Sequence, residues 1–279
     1  MLLQKKQLSA AACRVRLGII EATHAASSGH PGGSLSCADV LTWLYFRQMR
    51  VDPNCPNGAA RDRFVLSKGH AAPALYATLA ERGYFPVEEL KTLRRYGSRL
   101  QGHPSMKALP GVDMSTGSLG QGISAAVGMA LAAKLSGTSQ RIYTLLGDGE
   151  MQEGQVWEAL MSAAHYKLDN LCVLVDRNTL QIDGRTADVM NPEPIAQKLQ
   201  AFGLAVREIN GHDFEQMEQA FAWAEEVSGQ PSAIVLNTTK GKGVSFMEDL
   251  ASWHGQAPND EQYAAACEEL KQQLRELEA

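Results

Sequence analysis

The sequence predicts an α/β fold, a doubly wound, mostly parallel sheet flanked by helices. Three observations carry that expectation. Short apolar runs at 141–146, 171–175 and 232–238 alternate with longer segments of helical periodicity, the order of a parallel sheet with helices on both faces. Within those runs the apolar residues are near-continuous rather than alternating, as strands buried on both faces require. Aromatic residues make up only 6% of the chain while glycine (25 residues) and alanine are abundant, which argues against a sandwich core built on Phe, Tyr and Trp.

Taken in order, residues 8–28 read as a helix, with Ala11, Val15, Ile19 and Ala22 at three- and four-residue spacing. The cluster Ser28-Gly29-His30-Pro31-Gly32-Gly33-Ser34 is dense in chain breakers and reads as a loop. Helical pattern resumes over 36–49, and 63–67 is a short strand running into Lys68-Gly69-His70. Helices follow at 72–82 and 87–95, and Gly97 to Gly117 is a polar loop of a length that usually carries function. A helix of small residues over 120–135 precedes strand 141–146, which stops at Gly147-Asp148-Gly149. Helix 153–167 leads to strand 171–175, which stops at Asp176-Arg177-Asn178. Two further units, helix 194–202 into strand 204–209 and helix 213–228 into strand 232–238, complete the sheet. The tail sets Tyr263, Cys267, Leu270, Leu274 and Leu277 on one face of an amphipathic helix over 260–279. No shift in composition divides the chain, so residues 1–279 are expected to form one domain.

A chain of 279 residues can bury a full core without disulfides or metal staples. Its net charge of −5 argues against nucleic acid or an anionic membrane as partner, since both reward a basic surface. Five cysteines, at 13, 37, 55, 172 and 267, form no C-x-x-C pair and are odd in number. They read as buried free thiols in a reducing cytoplasm rather than a disulfide framework or a zinc site. The start, MLLQKKQLSA, has no signal-peptide pattern, and no apolar run reaches the roughly 18–20 residues of a membrane span.

The strand–helix–strand unit around Asp148 and Asn178 is the most informative feature. Consecutive strands of such a unit are usually parallel neighbours, so their C-terminal ends share one sheet edge. That puts the Asp148 carboxylate beside the Asn178 amide oxygen, where doubly wound sheets bind ligands. A carboxylate and an amide oxygen with room for water suit a hard cation such as Mg²⁺ or Ca²⁺.

The wording GDGEMQEG, a helix, then DRNTLQIDG resembles the thiamine-diphosphate motif of transketolases. SSGHPGGS, SKGHAAPALY, LQGHPS, STGSLGQGIS and SWHGQAP follow the same family in order, covering about residues 10–260. The resemblance implies the diphosphate-binding domain of the thiamine-diphosphate fold. Asp148 and Asn178 by side chain and Leu180 by its carbonyl would hold Mg²⁺, with Ca²⁺ or Mn²⁺ as substitutes. Gly149, Gly117, Ser118 and Leu119 would line the cofactor groove, although the family usually has proline at the Ser118 position. His30 and His103 would contact donor hydroxyls, and His70 and His254 would lie nearer the diphosphate and the reacting carbonyl. A loop can present such imidazoles unburied, with proton affinities near neutrality. Glu153 and Glu158 match acids placed between the two cofactor sites of a dimer. By contrast His212 reads as a strand-to-helix turn capped by Asp213, and Lys240-Gly241-Lys242-Gly243 as a strand exit without P-loop spacing.

In transketolases a glutamate of a following domain activates the pyrimidine, and nothing here matches that domain. The resemblance therefore implies the N-terminal subunit of a two-chain, α₂β₂ enzyme that moves a two-carbon ketol unit from a ketose phosphate to an aldose. Two rivals stay open at this level: a deoxyxylulose-phosphate-synthase-like or 2-oxoacid-dehydrogenase-α-like subunit, and a non-catalytic regulatory relative.

Overall fold

The computed structural model describes residues 4–279; Met1–Leu3, part of the segment read as free of a leader, lie outside the described residues. Five parallel strands form one sheet in the order β1-β2-β3-β7-β6: β1 (Arg63–Leu66), β2 (Ile142–Gly147), β3 (Leu171–Arg177), β6 (Ala205–Asn210) and β7 (Ser232–Asn237). Between β3 and β6 lie the two-residue strands β4 (Leu180–Gln181) and β5 (Gly184–Arg185), a small antiparallel ladder that the sequence pattern does not signal.

Alternate residues of each strand feed two cores. Phe64, Tyr143, Leu145, Cys172, Leu174, Ile234 and Leu236 face one layer. That layer holds α1 (Lys5–Ala25), α2 (Pro31–Leu35), α3 (Ala38–Trp43), α4 (Ala72–Arg82), α9 (Phe214–Glu226) and α10 (Asp260–Glu278). Val65, Ile142, Leu146, Val173, Val175 and Val235 face the other layer, built from α5 (Gln121–Leu135), α6 (Gly154–His165) and α8 (Ile195–Ala201). The expected doubly wound sheet is thus a three-layer α/β/α arrangement, and strands apolar on both faces are its direct consequence. Leu174 is fully buried in the middle of the central strand β3. Leu174→Ala should cost about 2–5 kcal/mol, read as a lower urea midpoint at unchanged slope.

Several boundaries differ from the sequence reading for local reasons. The breaker cluster at 28–34 is helical from Pro31, because proline at the first helical position has its φ preset and no orphan N–H. Gly32 is kept there by crowding: a Cβ on it would stand 2.7 Å from the Trp253 carbonyl oxygen. Residues 87–92 form a 3₁₀ turn rather than an α-helix. The predicted helix at 36–49 is split into α3 and a π-turn, Leu44–Gln48. The single helical turn α7 (Thr186–Val189) has no counterpart in the sequence reading. The tail is a helix as predicted; it packs on α1, where Cys13 donates to the Leu270 carbonyl at 3.1 Å. No helix among the described residues is long and apolar enough to cross a membrane.

Candidate active site

Because the five strands are parallel, their C-terminal ends share one edge. The chain leaves β3, crosses to the outer strand β6, and returns to place β7 beside β3. The residues that follow four strand ends therefore converge: Lys68 after β1, Asp148 after β2, Asn178 after β3 and Lys240 after β7. All four line one cleft of about 320 Å³, together with His30, His70, Gly117, Leu119, Gly149, Glu153, Leu180 and His254.

The oxygen set lies as the strand topology requires. Asp148 N–H donates to the Asp176 carbonyl at 3.1 Å, extending the β2–β3 ladder by one bond. Its carboxylate accepts from Gly149 N–H (2.8 Å) and from Thr179 N–H (2.5 Å). Thr179 adopts a left-handed φ of 64°, costly for a β-branched residue; this turn aims its N–H at Asp148 and the Leu180 N–H at Asn178 Oδ1 (3.2 Å). Burial, then the nearby Asp176 charge, raises the Asp148 carboxyl to about 6.

Three imidazoles stand in a triangle. Ring centroids are 5.3 Å apart for His30 and His70, 5.4 Å for His30 and His254, and 5.2 Å for His70 and His254. Sequence reasoning expected unburied rings near neutrality. Instead burial, first, and neighbouring cations, second, lower His30 to about 4, His254 to about 3, and His70 well below its usual range. All three are neutral at physiological pH, able to accept or relay a proton but carrying no standing charge. Lys240 Nζ donates to His254 Nδ1 at 3.1 Å, which leaves the His254 proton on Nε2. His103 is not in the triangle. It is an exposed residue at the rim, where its ring would crowd a Cβ on Gly117 at 3.1 Å, and Tyr76 O–H fixes its carbonyl at 3.1 Å. Gly117 and Leu119 line the cleft; Ser118 does not, and is exposed beside them.

Sequence reasoning missed two lysines. Lys240, in the segment read as a plain strand exit, is 2% exposed and its Nζ lies 3.1 Å from the Leu180 carbonyl oxygen. Burial and then Lys68 lower its ammonium to about 8. Lys68, 1% exposed, donates to the Gly33 carbonyl at 2.7 Å and to Asp176. Lys68 stands in the SKGHAAPALY motif, where only its histidine was given a role; Lys240 stands in no recognised motif, and only its place after a strand end could have flagged it. Glu150, which follows the GDG motif where the family often has a small or apolar residue, ties three segments of the rim: it accepts from Ser67 Oγ (2.6 Å), Gly120 N–H (2.9 Å) and Gly147 N–H (3.1 Å). His212 does sit in a turn capped by Asp213, yet its ring bridges buried Asp39 and the Thr239 N–H, at 2.7 and 2.9 Å.

Asp148, Asn178 and the Leu180 carbonyl are hard oxygen donors, and Nδ1 of His30 is buried without a hydrogen-bond partner. These features fit an anionic cofactor held through a hard cation. The family described as "Transketolase, thiamine diphosphate binding domain" matches residues 6–274. The chain belongs to the transketolase family. It is 50% identical over 245 residues to a 6-deoxy-6-sulfo-D-fructose transketolase subunit of Clostridium sp. (strain MSTE9), covering 88% of this chain and 89% of that one. It is 45% identical over 263 residues to an apulose-4-phosphate transketolase subunit of Phocaeicola vulgatus, covering 94% of this chain and 93% of that one. Among solved structures, transketolase from Campylobacter jejuni superposes with a TM-score of 0.90 at 35% identity, over 96% of this chain but 43% of that one. The chain thus spans less than half of that solved transketolase. Its matched part is the domain that binds thiamine diphosphate, as the sequence motifs implied.

Proposed function

We propose that this chain is the N-terminal, diphosphate-binding subunit of a two-chain transketolase, transferring a two-carbon ketol unit from a ketose phosphate to an aldose. The observation that carries the reading is the meeting, in one cleft, of the Asp148–Asn178–Leu180 oxygen set with the His30–His70–His254 triangle. The two relatives named above are themselves subunits of near-equal length, which supports a second chain carrying the pyrimidine domain.

Asp148 and Asn178 by side chain and Leu180 by its carbonyl would hold Mg²⁺, and Gly149 would lie against the diphosphate. Thiamine diphosphate, when bound, supplies the nucleophile and electron sink for cleaving and making the C–C bond. The chain's own residues bind, orient and move protons. Neutral His30, and His103 at the rim, offer hydrogen bonds to donor hydroxyls. His254, with Nδ1 engaged by Lys240, presents Nε2–H to the cleft, while His70 sits across from it at stacking distance. Buried Lys240 adds a positive charge without a basic protein surface, so the net charge of −5 is no obstacle.

The cleft is open beside Leu119 and Glu153, at the N-terminal ends of α5 and α6. Helix α5 continues from there with Gly128, Ala132 and Leu135 exposed, although its buried face already carries Ile123, Ala126, Val127 and Ala130. Apart from Gln121 and Lys134 at its two ends, its exposed positions are small or apolar, which suits a helix buried on both faces in the complete molecule. A companion chain covering α5 and α6 would close the cleft from that side, within an α₂β₂ assembly. Four of the five cysteines are buried and all are free, in keeping with a cytoplasmic enzyme.

The test is ketol transfer with thiamine diphosphate and Mg²⁺, assayed on the chain alone and with its companion chain. Turnover of a ketose phosphate is expected only in the mixture. Activity from the chain alone, or preference of the mixture for pyruvate as donor, would overturn the reading.

A further inference from the structure

Behind the cleft lies a charge cluster that the proposed reaction does not use. Asp176, near the end of central strand β3, is fully buried and takes donors from four parts of the chain. Its Oδ2 accepts from Lys68 Nζ at 2.5 Å, Ser36 Oγ at 2.7 Å and Asn178 Nδ2 at 3.0 Å, and its Oδ1 accepts from Thr238 Oγ1. A carboxylate so deep would be neutralised if unpaired. Burial does oppose its charge, but Lys68 and the surrounding donors outweigh it and hold the Asp176 carboxyl below its ordinary range. Lys68 is shifted upward in turn: burial acts against its charge and Asp176 reverses the balance.

The consequence falls on Asn178. A side-chain amide can be turned either way about its last bond. Here one end meets the Asp176 carboxylate, which only accepts, and the other meets the Leu180 N–H, which only donates. One orientation satisfies both: Nδ2 toward Asp176, and Oδ1 toward Leu180 with a lone pair to spare. We propose that Asp176, anchored by Lys68, is the positioning residue that fixes the Asn178 amide so that its oxygen, not its nitrogen, meets the divalent cation. Asp176 does not line the cleft and touches neither cofactor nor substrate; it acts through Asn178. Lys68 adds a second link, since its bond to the Gly33 carbonyl ties the helix that begins after His30 to the same cluster.

This inference rests on the cation reading at Asp148, Asn178 and Leu180, and the experiment separates the two. Mn²⁺ binding would be measured by electron paramagnetic resonance on the full chain with thiamine diphosphate and the companion chain, alongside thermal melting. Asp176→Asn lets residue 176 present an amide in either sense to Asn178, and Lys68→Met/Asp176→Asn does so without leaving an unpaired buried ammonium. Both should bind Mn²⁺ about 10- to 100-fold more weakly, the usual effect of losing a group that orients a metal ligand. The double variant keeps the test open if the single one does not fold. Wild-type Mn²⁺ affinity in either folded variant, with binding lost in Asp148→Ala, would overturn the role of Asp176 alone. Binding retained in Asp148→Ala would overturn the cation reading, and this inference with it.

Discussion

Asp148→Ala is expected to abolish cation-dependent binding of thiamine diphosphate, weakening the cofactor's apparent affinity by about 100-fold or more. Asp148 supplies the only carboxylate in the proposed oxygen set; Asn178 and Leu180 contribute neutral oxygens. It is buried, it is aimed by two backbone N–H groups, and its carboxyl is raised to about 6 by burial and by Asp176. A buried charge opposite a divalent ion is worth about 2–5 kcal/mol by truncation, which spans from tens to thousands in affinity. Removal also frees Thr179 from the bond that rewards its left-handed φ of 64°, so the turn presenting Leu180 loosens as well. Titration calorimetry with thiamine diphosphate, in Mg²⁺ and in chelator, reads the effect. The wild-type chain should respond strongly to the chelator and the variant hardly at all. Asp148→Asn, which keeps the shape and loses the charge, should behave like the alanine variant. Unchanged affinity in a variant that melts like wild type would remove Asp148 from the site.

How much of this site was legible in advance follows from how local each feature is. Asp148 and Asn178 needed only one strand–helix–strand unit, whose neighbouring, parallel geometry is nearly obligatory. Lys240 needed more. It reaches the cleft because β7 inserts between β3 and the outer strand β6, a crossover that the order of elements leaves open. A lysine after a strand and before a glycine reads as a turn until that insertion is known. Asp176 was hidden for a related reason, as the acid two residues before Asn178 could as well have capped a turn.

The histidines show a second limit. Their motifs located them, but their protonation depends on burial by segments far apart in the chain. His30, His70 and His254 come from three segments far apart in the chain, and burial first, then the cations around them, makes them neutral. Breakers misled in the same way. Gly32 and Gly33 predict a loop by propensity, whereas the tight approach of the Trp253 carbonyl makes glycine a packing requirement at Gly32 inside a short helix.

On the outer face of α5 a substitution should separate folding from assembly. Gly128 is exposed, and a Cβ built on it meets nothing within 4 Å. An arginine there fits the isolated chain and should stabilise the helix by about 0.5–1 kcal/mol relative to glycine. If α5 is covered by the companion chain, the same side chain places a charge at the middle of an apolar contact flanked by Ala132 and Leu135. Burying it unpaired would cost several kcal/mol, enough to dissociate an ordinary complex at micromolar concentration. Gly128→Arg should therefore melt no lower than wild type, elute alone on size-exclusion chromatography with light scattering, and show no ketol transfer in the mixture. Gly128→Ala, which adds one methyl, should retain far more assembly than the arginine variant. A Gly128→Arg chain that still assembles and turns over ketose phosphate would place the companion chain elsewhere on the molecule.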